Sequence, residues 1–370
     1  MHRPSSPVIP AHYARVLDDL REHPRVWLIT GVAGFIGSNL LEHLLVLRQR
    51  VVGLDNFATG HQTNLDDVLS RYPDAARSFR LIEGDICDLE TCRLACEGVD
   101  IVLHEAALRS APRSMKDPAT TNGVNVSGFL NMLIAARDAG VRRLVYASSS
   151  TVYGDDPILP HREDGAMQPL SPYAASKCAD ELYAGVFQRA FGLEVVGLRY
   201  FNVFGPRQDP FSEYAGVIPR WIGNLLRDAP CRIPGDGDAG RDFCYVANAV
   251  QANILAATAP SDATNEVYNV ACGELTTFNE LYRMIRLGVA GFTATIAADP
   301  IFEPADPRSE RSTPVSIDKA TEQLEYEPTH MVSDGLGEVL AWHIASGRTL
   351  VRAGLREPAE RELAVLKAVG

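Results

Sequence analysis

The 370-residue chain has no apolar run approaching the ~18 residues that span a bilayer. Its cysteines are seven, odd in number and scattered, with no close Cys-x-x-Cys pair. That pattern excludes a disulfide framework and a zinc site, and it fits a reducing compartment. Positive charge is not in excess. A net charge of −12 argues against a nucleic-acid partner or an anionic membrane surface. An anionic small molecule stays open, because a site can be locally basic. The first residues lack the charged-then-apolar pattern of a signal peptide, and there are no internal repeats or long low-complexity segments. A soluble cytoplasmic chain is expected, with no metal, no nucleic acid and no membrane. With 46% hydrophobic residues it can build a sizeable core, in one large or two ordinary domains.

What is present is organised around Val26 to Asp55. The run Val26-Trp27-Leu28-Ile29-Thr30 is of strand length and feeds into Gly31, Gly34 and Gly37, each three residues after the last. Leucines at helical intervals follow, then a second apolar run, Val51 to Leu54, closed by Asp55. This is a strand–turn–helix–strand unit suited to a pyrophosphate. Glycine permits the tight turn and the close approach of backbone to phosphate, and it lets helix and sheet pack closely. The new helix presents unpaired N–H groups and the positive end of its dipole. Asp55 stands 18 residues beyond Gly37, placed to accept hydrogen bonds from a ribose diol. No Lys or Arg follows it at once, which favours NAD over NADP.

Further along, Phe79 to Ile86 reads as a third strand. Asp85 at its end either reaches an adenine amino group or serves as a loop carboxylate or helix cap. Val99 to His104 is a fourth strand, and the small Ala106 and Ala107 follow it on the ligand side. His104 reads as structural rather than catalytic. Residues 120–139 read as a helix containing Asn125, either a contact into the site or an ordinary helix residue. A fifth strand, Val141 to Ala147, runs into Ser148, Ser149 and Ser150. Taken alone, these serines are turn chemistry.

Ser171-Pro172 then opens a helix with proline in its first turn. Tyr173 and Lys177 are four apart and share a face. A phenol with a free pKa of about 10 is a poor base. A neighbouring ammonium and a cationic nicotinamide favour the phenolate, which makes the pair usable. Behind a dinucleotide unit and a serine-bearing strand end, this reads as catalytic. Glu194 to Leu198 is a further strand. Gly216 to Leu226 contains a helix, and Ile233 to Gly237 a turn. Arg241 beside that turn suits a diphosphate; the alternative is an ion pair with Asp242. Residues 247–258 read as a helix and 266–270 as a strand. A charged helical tail fills 345–370.

With Gly31-x-x-Gly34-x-x-Gly37, Ser149, Tyr173-x-x-x-Lys177 and Arg199-Tyr200-Phe201-Asn202 in order, the chain resembles the extended short-chain dehydrogenase/reductase family over about residues 25–345. It is most similar to its bacterial UDP-N-acetylglucosamine 4-epimerases, through Thr30 to Glu42, Asp55 to His61, Tyr200 to Gly205, and Gly235-Asp236-Gly237 with Arg241 to Tyr245. The resemblance implies an α/β fold, a Rossmann-type doubly wound parallel sheet with a smaller, mostly C-terminal α/β substrate domain. The NAD-binding domain would span 25–200, with segments near 240–270 returning to it. The UDP-sugar domain would span 201–345, between an N-terminal extension, 1–24, and a tail, 346–370. Residues 1–24 hold a short helical candidate, Tyr13 to Glu22, read as a surface appendage.

The resemblance also implies roles. Tyr173 takes the proton of the sugar 4-hydroxyl while NAD accepts hydride from C4 and later returns it to the other face. Ser149 hydrogen-bonds the 4-oxygen, and Lys177 holds the nicotinamide ribose and tunes Tyr173. The NAD contacts would include Gly31, Gly34, Phe35, Ile36 and Gly37. Asp55, Asn56, Thr59, Gly60, Asp85 and Ile86 would follow. Ala106, Ala107, Arg109, Asn125 and Tyr200 would complete them. The UDP-sugar would meet Ser110, Ser149, Ser150, Asn202, Val217, Ile218, Pro219, Arg241 and one of Arg308 and Arg311, with Arg311 preferred. A homodimer through helices near 120–139 and 172–190 is implied. Related dehydratases carry acids after the active-site serine; here Ser150 and Thr151 stand there, which favours epimerisation. Ser312 and Thr313 suit an N-acetyl sugar. Arg109, where relatives often have glycine, keeps a uronic acid open.

Overall fold

Apolar runs of strand length, separated by leucine-rich helical stretches, build parallel strands covered on both faces. The computed structural model describes residues 8–210, 215–291, 299–304 and 311–345. Its central sheet has strands β1 (Val26–Thr30), β2 (Arg50–Asp55), β3 (Phe79–Glu83), β4 (Ile101–His104), β5 (Arg143–Ser149), β6 (Glu194–Tyr200) and β7 (Glu266–Val270). All pair in parallel, in the order β3-β2-β1-β4-β5-β6-β7. The winding reverses between β1 and β4, and such sheets bind ligands in the crevice above that point.

Side chains of β1 alternate between two cores. Trp27 and Ile29 belong to the cluster on one face, with the helices Ala11–Glu22, Phe35–Val46 and Val246–Thr258. Leu28 belongs to the other, with Leu89–Cys96, Gly128–Asp138 and Pro172–Phe191. The expected N-terminal helix is seated on the sheet rather than appended to it. Tyr13, Leu17 and Leu20 are buried in the first cluster. The Tyr13 hydroxyl lies 3.0 Å from His43 Nε2, and Gln49 Nε2 donates to the Leu20 carbonyl at 2.6 Å.

A separate core gathers around Trp221, Phe278 and Tyr282, from the helices Val217–Leu225, Phe278–Ala290 and Val332–Ala345. Two small strand pairs flank it: Arg232–Pro234 with Ile301–Glu303, and Gly240–Arg241 with Thr276–Thr277. Between them the chain returns to the main sheet through Val246–Thr258 and β7.

One expected helix is broken. Residues 120–139 hold the end of Pro118–Asn122, a π turn at Gly123–Ser127 and then Gly128–Asp138. Pro118 starts a fresh helix, and the wide turn aims Asn125 inward. Among the described residues no helix is long and apolar enough to cross a membrane. The expected tail helix at 346–370 and Arg308 lie outside the described residues.

Helix Phe35–Val46 lies against the turn that precedes it. A Cβ at Gly37 would sit 2.2 Å from the Gly31 carbonyl oxygen, a backbone atom that cannot turn aside. Gly37→Ala is expected to lower stability by about 1–3 kcal/mol through overpacking. Thermal unfolding measures it, and an unchanged melting temperature would contradict this packing.

Candidate active site

The crevice floor is the turn between β1 and helix Phe35–Val46. Gly31 has φ +68°, and a Cβ there would meet the Ala106 amide at 2.9 Å. Asp55 ends β2 and is buried. Its Oδ2 accepts from the Ala33 amide and its Oδ1 from the Phe57 amide, both at 2.8 Å. Burial pushes this carboxyl up, against the pull of the two amides. Each carboxylate oxygen has a second lone pair beyond the one these amides use. Gly60 packs against the same unit, where a Cβ would lie 2.9 Å from Ala33 and 3.1 Å from Asp55 Oδ1. This cradle is open where a pyrophosphate needs backbone, and it fits a dinucleotide.

Asn56, just past β2, and Asp85, just past β3, come together. Asn56 Nδ2 donates to Asp85 Oδ2 at 2.9 Å, and the Cys87 amide donates to Asp85 Oδ1 at 2.8 Å. Burial raises Asp85, but these bonds outweigh it and hold the carboxyl below its usual range. The cap of helix Leu89–Cys96 is Asp88, not Asp85. Ile86 is buried beneath Gly128. Phe35 and Ile36 open the first turn of their helix, and Thr59 is exposed beside Gly60.

Beyond β4, the Ala106 amide donates to Thr30 Oγ1 at 3.2 Å, and Thr30 Oγ1 lies 2.9 Å from His104 Nδ1. Burial, with the Lys177 charge, pushes His104 down to about 3. It is a neutral structural histidine. Asn125 resolves its two readings through its own partners. It accepts from the Leu108 amide at 2.8 Å and donates to the Leu108 carbonyl at 3.2 Å and Ser176 Oγ at 3.0 Å. The side chain thus clamps the loop carrying Ala106, Ala107, Arg109 and Ser110 to the helix carrying Tyr173. Arg109 is exposed, and Ser110 caps Ala111–Lys116 from φ +123°.

Ser149 pairs with Tyr200 in the β5–β6 register, so the two stand side by side at the strand ends. Ser149 Oγ accepts from the Thr151 hydroxyl at 2.9 Å and from its amide at 3.2 Å. Ser150 starts the short turn that follows. Helix Pro172–Phe191 is capped by Ser171, whose Oγ accepts from the Ala174 amide at 3.1 Å. Tyr173 is half-buried in its first turn, while Lys177 is buried.

Under these residues lies an ionic cluster missed from the sequence. Arg199 forks onto Glu181 at 2.9 and 2.7 Å, and Ser148 Oγ donates to the same carboxylate at 2.5 Å. Arg199 also donates to the Tyr153 hydroxyl at 2.8 Å, which in turn donates to Asn269 at 2.7 Å. Glu105 is a second group that sequence reasoning passed over. It accepts from the Tyr200 hydroxyl at 2.7 Å, and Asn253 donates to that hydroxyl at 2.7 Å.

On the other side of the crevice, Asn202 (φ +40°) donates to the Asp242 carbonyl at 2.7 Å. Arg241 and Arg311 are brought together: the Arg241 guanidinium donates to the Arg311 carbonyl at 2.6 Å. It also lies 5.5 Å from the centre of the Phe278 ring. The Asp242 carboxylate is engaged elsewhere, accepting from the amides of Cys272, Gly273 and Glu274 at 2.8, 2.7 and 3.1 Å. Phe278 in turn lines a cavity of about 260 Å³ with Val217, Arg220, Trp221, Asn224, Arg232 and Pro234. Of the three UDP-sugar contacts expected on helix Val217–Leu225, Val217 lines this cavity, while Ile218 and Pro219 are buried and do not. The i, i+3, i+4, i+7 spacing of Val217, Arg220, Trp221 and Asn224 was a signal available in the sequence.

A reversing parallel sheet whose glycine turn ends under a buried acid, with a phenol and an ammonium one helical turn apart across the crevice, is the framework of a dinucleotide-dependent enzyme. Comparison with known proteins narrows this. The chain belongs to the NAD dependent epimerase/dehydratase family, whose model matches residues 27–271. It is 34% identical over 325 residues to a putative UDP-glucose 4-epimerase of Methanocaldococcus jannaschii, covering 87% of this chain and 99% of the relative. Among solved structures it is similar to the UDP-N-acetylglucosamine 4-epimerase of Methanobrevibacter ruminantium in complex with UDP-N-acetylmuramic acid. That match has 33% identity, a TM-score of 0.79, and 87% and 99% of the two chains covered. It is also similar to the UDP-glucuronic acid 4-epimerase of Bacillus cereus in complex with UDP-glucuronic acid and NAD. There the identity is 30%, the TM-score 0.76, and 86% and 98% of the chains are covered.

Burial pushes Glu105 up to about 7, against the Tyr200 hydrogen bond and the Lys177 charge. An unfolded glutamate titrates near 4.3. Between those values the folded chain holds more proton, so this group makes stability fall as pH rises. Glu105→Gln is expected to match the wild type near pH 4 and to exceed it by about 1–3 kcal/mol at pH 8. Melting curves across that range test it; a variant no more stable at pH 8 contradicts the assignment.

Proposed function

We propose that the protein is an NAD-dependent UDP-hexose 4-epimerase that interconverts UDP-N-acetylglucosamine and UDP-N-acetylgalactosamine through a 4-keto sugar. The carrying observation is the set Ser149, Tyr173 and Lys177 at one strand end and one helix start, with hydroxyls rather than carboxylates at Ser150 and Thr151. Elimination of water needs an acid/base at those two places, and neither hydroxyl supplies one at neutral pH.

In this reading Tyr173 takes the proton from the sugar 4-hydroxyl and returns it. Ser149 hydrogen-bonds the 4-oxygen. Lys177 lowers the cost of the Tyr173 phenolate and holds the nicotinamide ribose. NAD, when bound, supplies the hydride acceptor and donor. Gly31, Gly34, Phe35, Ile36 and Gly37 cradle its pyrophosphate, and Asp55, Asn56, Thr59 and Gly60 take the adenosine ribose. Asp85 and Ile86 border the adenine. Ala106, Ala107, Arg109 and Tyr200 line the remainder, and Asn125 keeps that loop in place. Asn202, Arg241 and Arg311 meet the diphosphate, because guanidinium binds phosphate in a fork. The cavity beside Val217 takes the uracil. Ser110 and Ser150 border the sugar, and small Ser312 and Thr313 leave room for an N-acetyl group.

A second substrate has one observation in its favour. Arg109 is exposed on the loop leaving β4, which suits the carboxylate of UDP-glucuronic acid or UDP-N-acetylglucosaminuronic acid. A homodimer is also proposed. Leu182 and Val186 are 63% and 47% exposed and stand one turn apart on helix Pro172–Phe191, an apolar stripe suited to a second copy. Seven free thiols support a reducing, cytoplasmic setting.

Purified protein given a panel of neutral, N-acetylated and acidic UDP-sugars, without added NAD, is expected to form the 4-epimer of an N-acetylated member with no change in mass. Nuclear magnetic resonance and mass spectrometry of the products read this. Loss of water or carbon dioxide would overturn the reaction class, and turnover of uronates alone would move the substrate. Tyr173→Phe is expected to lower turnover at least about a hundredfold, within the range for general acid–base groups, while NAD stays bound.

A further inference from the structure

One ion pair in the helix of Tyr173 has no place in the roles above. Lys177 Nζ lies 3.0 Å from Asp180 Oδ2, and the two side chains are 3% and 1% exposed. Removing both charges from water is costly, and the attraction between them repays it only with good geometry and further hydrogen bonds. Here the second carboxylate oxygen, Asp180 Oδ1, is buried with no partner. An acceptor left idle in the interior is a poor device for holding a helix together. Asparagine or a small apolar residue would serve that purpose better. The adjacent Glu181 is committed to Arg199 and Ser148 and offers the ammonium nothing.

We propose that Asp180 is a positioning residue whose carboxylate pins the Lys177 ammonium in the protein interior and keeps it a cation beside Tyr173. The inference rests on the roles given above to Tyr173 and Lys177. An ammonium has three N–H donors. One goes to Asp180, which holds the ammonium in place and leaves two for other partners. The groups facing Lys177 are Tyr173 and Asp180 on its own helix, His104 on β4 and Glu105 just beyond it. Asp180 itself faces Lys177 and Glu181, with Tyr146 of β5 nearby. Burial pulls Lys177 down; Asp180 first, then Tyr173 and Glu105, lift it above its ordinary value. Without Asp180 the desolvated ammonium loses its principal counter-charge and gives up its proton at lower pH. The phenolate then loses its cation.

The test is the pH profile of epimer formation by the holoenzyme of wild type, Asp180→Asn and Asp180→Glu. For Asp180→Asn the alkaline limb is expected to move down by about one to three pH units, the scale of burial shifts on lysine. Below the shifted limb turnover stays near the wild-type value, and above it turnover falls about tenfold per pH unit, with KM for the UDP-sugar unchanged because Asp180 touches no substrate. Asp180→Glu restores the limb. A uniform loss at every pH, with the limb in place, overturns the proposal and leaves Asp180 a structural residue.

A second measurement needs no folded variant at Asp180. The chain has four lysines, Lys116, Lys177, Lys319 and Lys367. Lysine-selective isotope labelling therefore gives few side-chain signals, and Lys177→Arg assigns the one that matters. In the wild type that signal is expected to titrate above the other three; titration with or below them overturns the proposal. Turnover by Tyr173→Phe would sink the proposed reaction but leave the lysine titration standing, so the two failures are distinguishable.

Discussion

The fork of Arg199 on Glu181 is the interaction that the rest of the site depends on. Arg199 is on β6 and Glu181 on helix Pro172–Phe191, and Ser148 on β5 donates to the same carboxylate. Three elements are thereby fixed to one another beneath the residues that face the crevice. Ser149 is the next residue after Ser148, Tyr200 follows Arg199, and Lys177 is one helical turn before Glu181. A buried charge left alone is expensive, so loss of either partner destabilises by about 3–5 kcal/mol and loosens the helix from the paired strands β5 and β6. The pair is a device of position rather than chemistry: it sets where the phenol and the hydroxyl stand relative to each other.

The cofactor side is held by a different means. Asp55 fastens the glycine turn through two backbone amides, and Gly31, Gly37 and Gly60 let main chain approach main chain where any side chain would intrude. Asn125 then ties the loop after β4 to helix Pro172–Phe191. Arg207 joins the loop after β6 to helix Phe35–Val46, through Asn39 and Glu42, and to helix Gln62–Arg71, through Asp67. Both ties run between segments far apart in the chain. They make the floor of the crevice one unit, against which Arg241, Arg311 and the cavity beside Trp221 form the other wall.

Much of this was legible in the residues. Gly31, Gly34 and Gly37 between two apolar runs, with Asp55 closing the second, specify their geometry locally, because glycine spacing and strand length are properties of a short window. Tyr173 and Lys177 were legible for the same reason: a helical turn places residues four apart on one face. The π turn at Gly123–Ser127 was not, since nothing in its composition opposes an ordinary helix. Helix Ala11–Glu22 looked separable because its apolar face, Tyr13, Leu17 and Leu20, finds its partners only in a helix and a strand edge further along. Glu181, Arg199, Tyr153 and Asn269 lie up to 116 residues apart and meet only in the folded sheet. Glu105 was hidden in the same way: a carboxylate after a strand is unremarkable until Tyr200 and Asn253 are placed against it.

At the centre of the account is a single carbon that is oxidised and reduced again without leaving the crevice. A UDP-N-acetylglucosamine carrying deuterium at C4 tests that claim most directly. The account predicts that the label remains at C4 of the product epimer, with none of it in solvent, because the hydrogen is held within the site for the whole cycle. Loss of the label to water, or its appearance at any other carbon of the sugar, would contradict it.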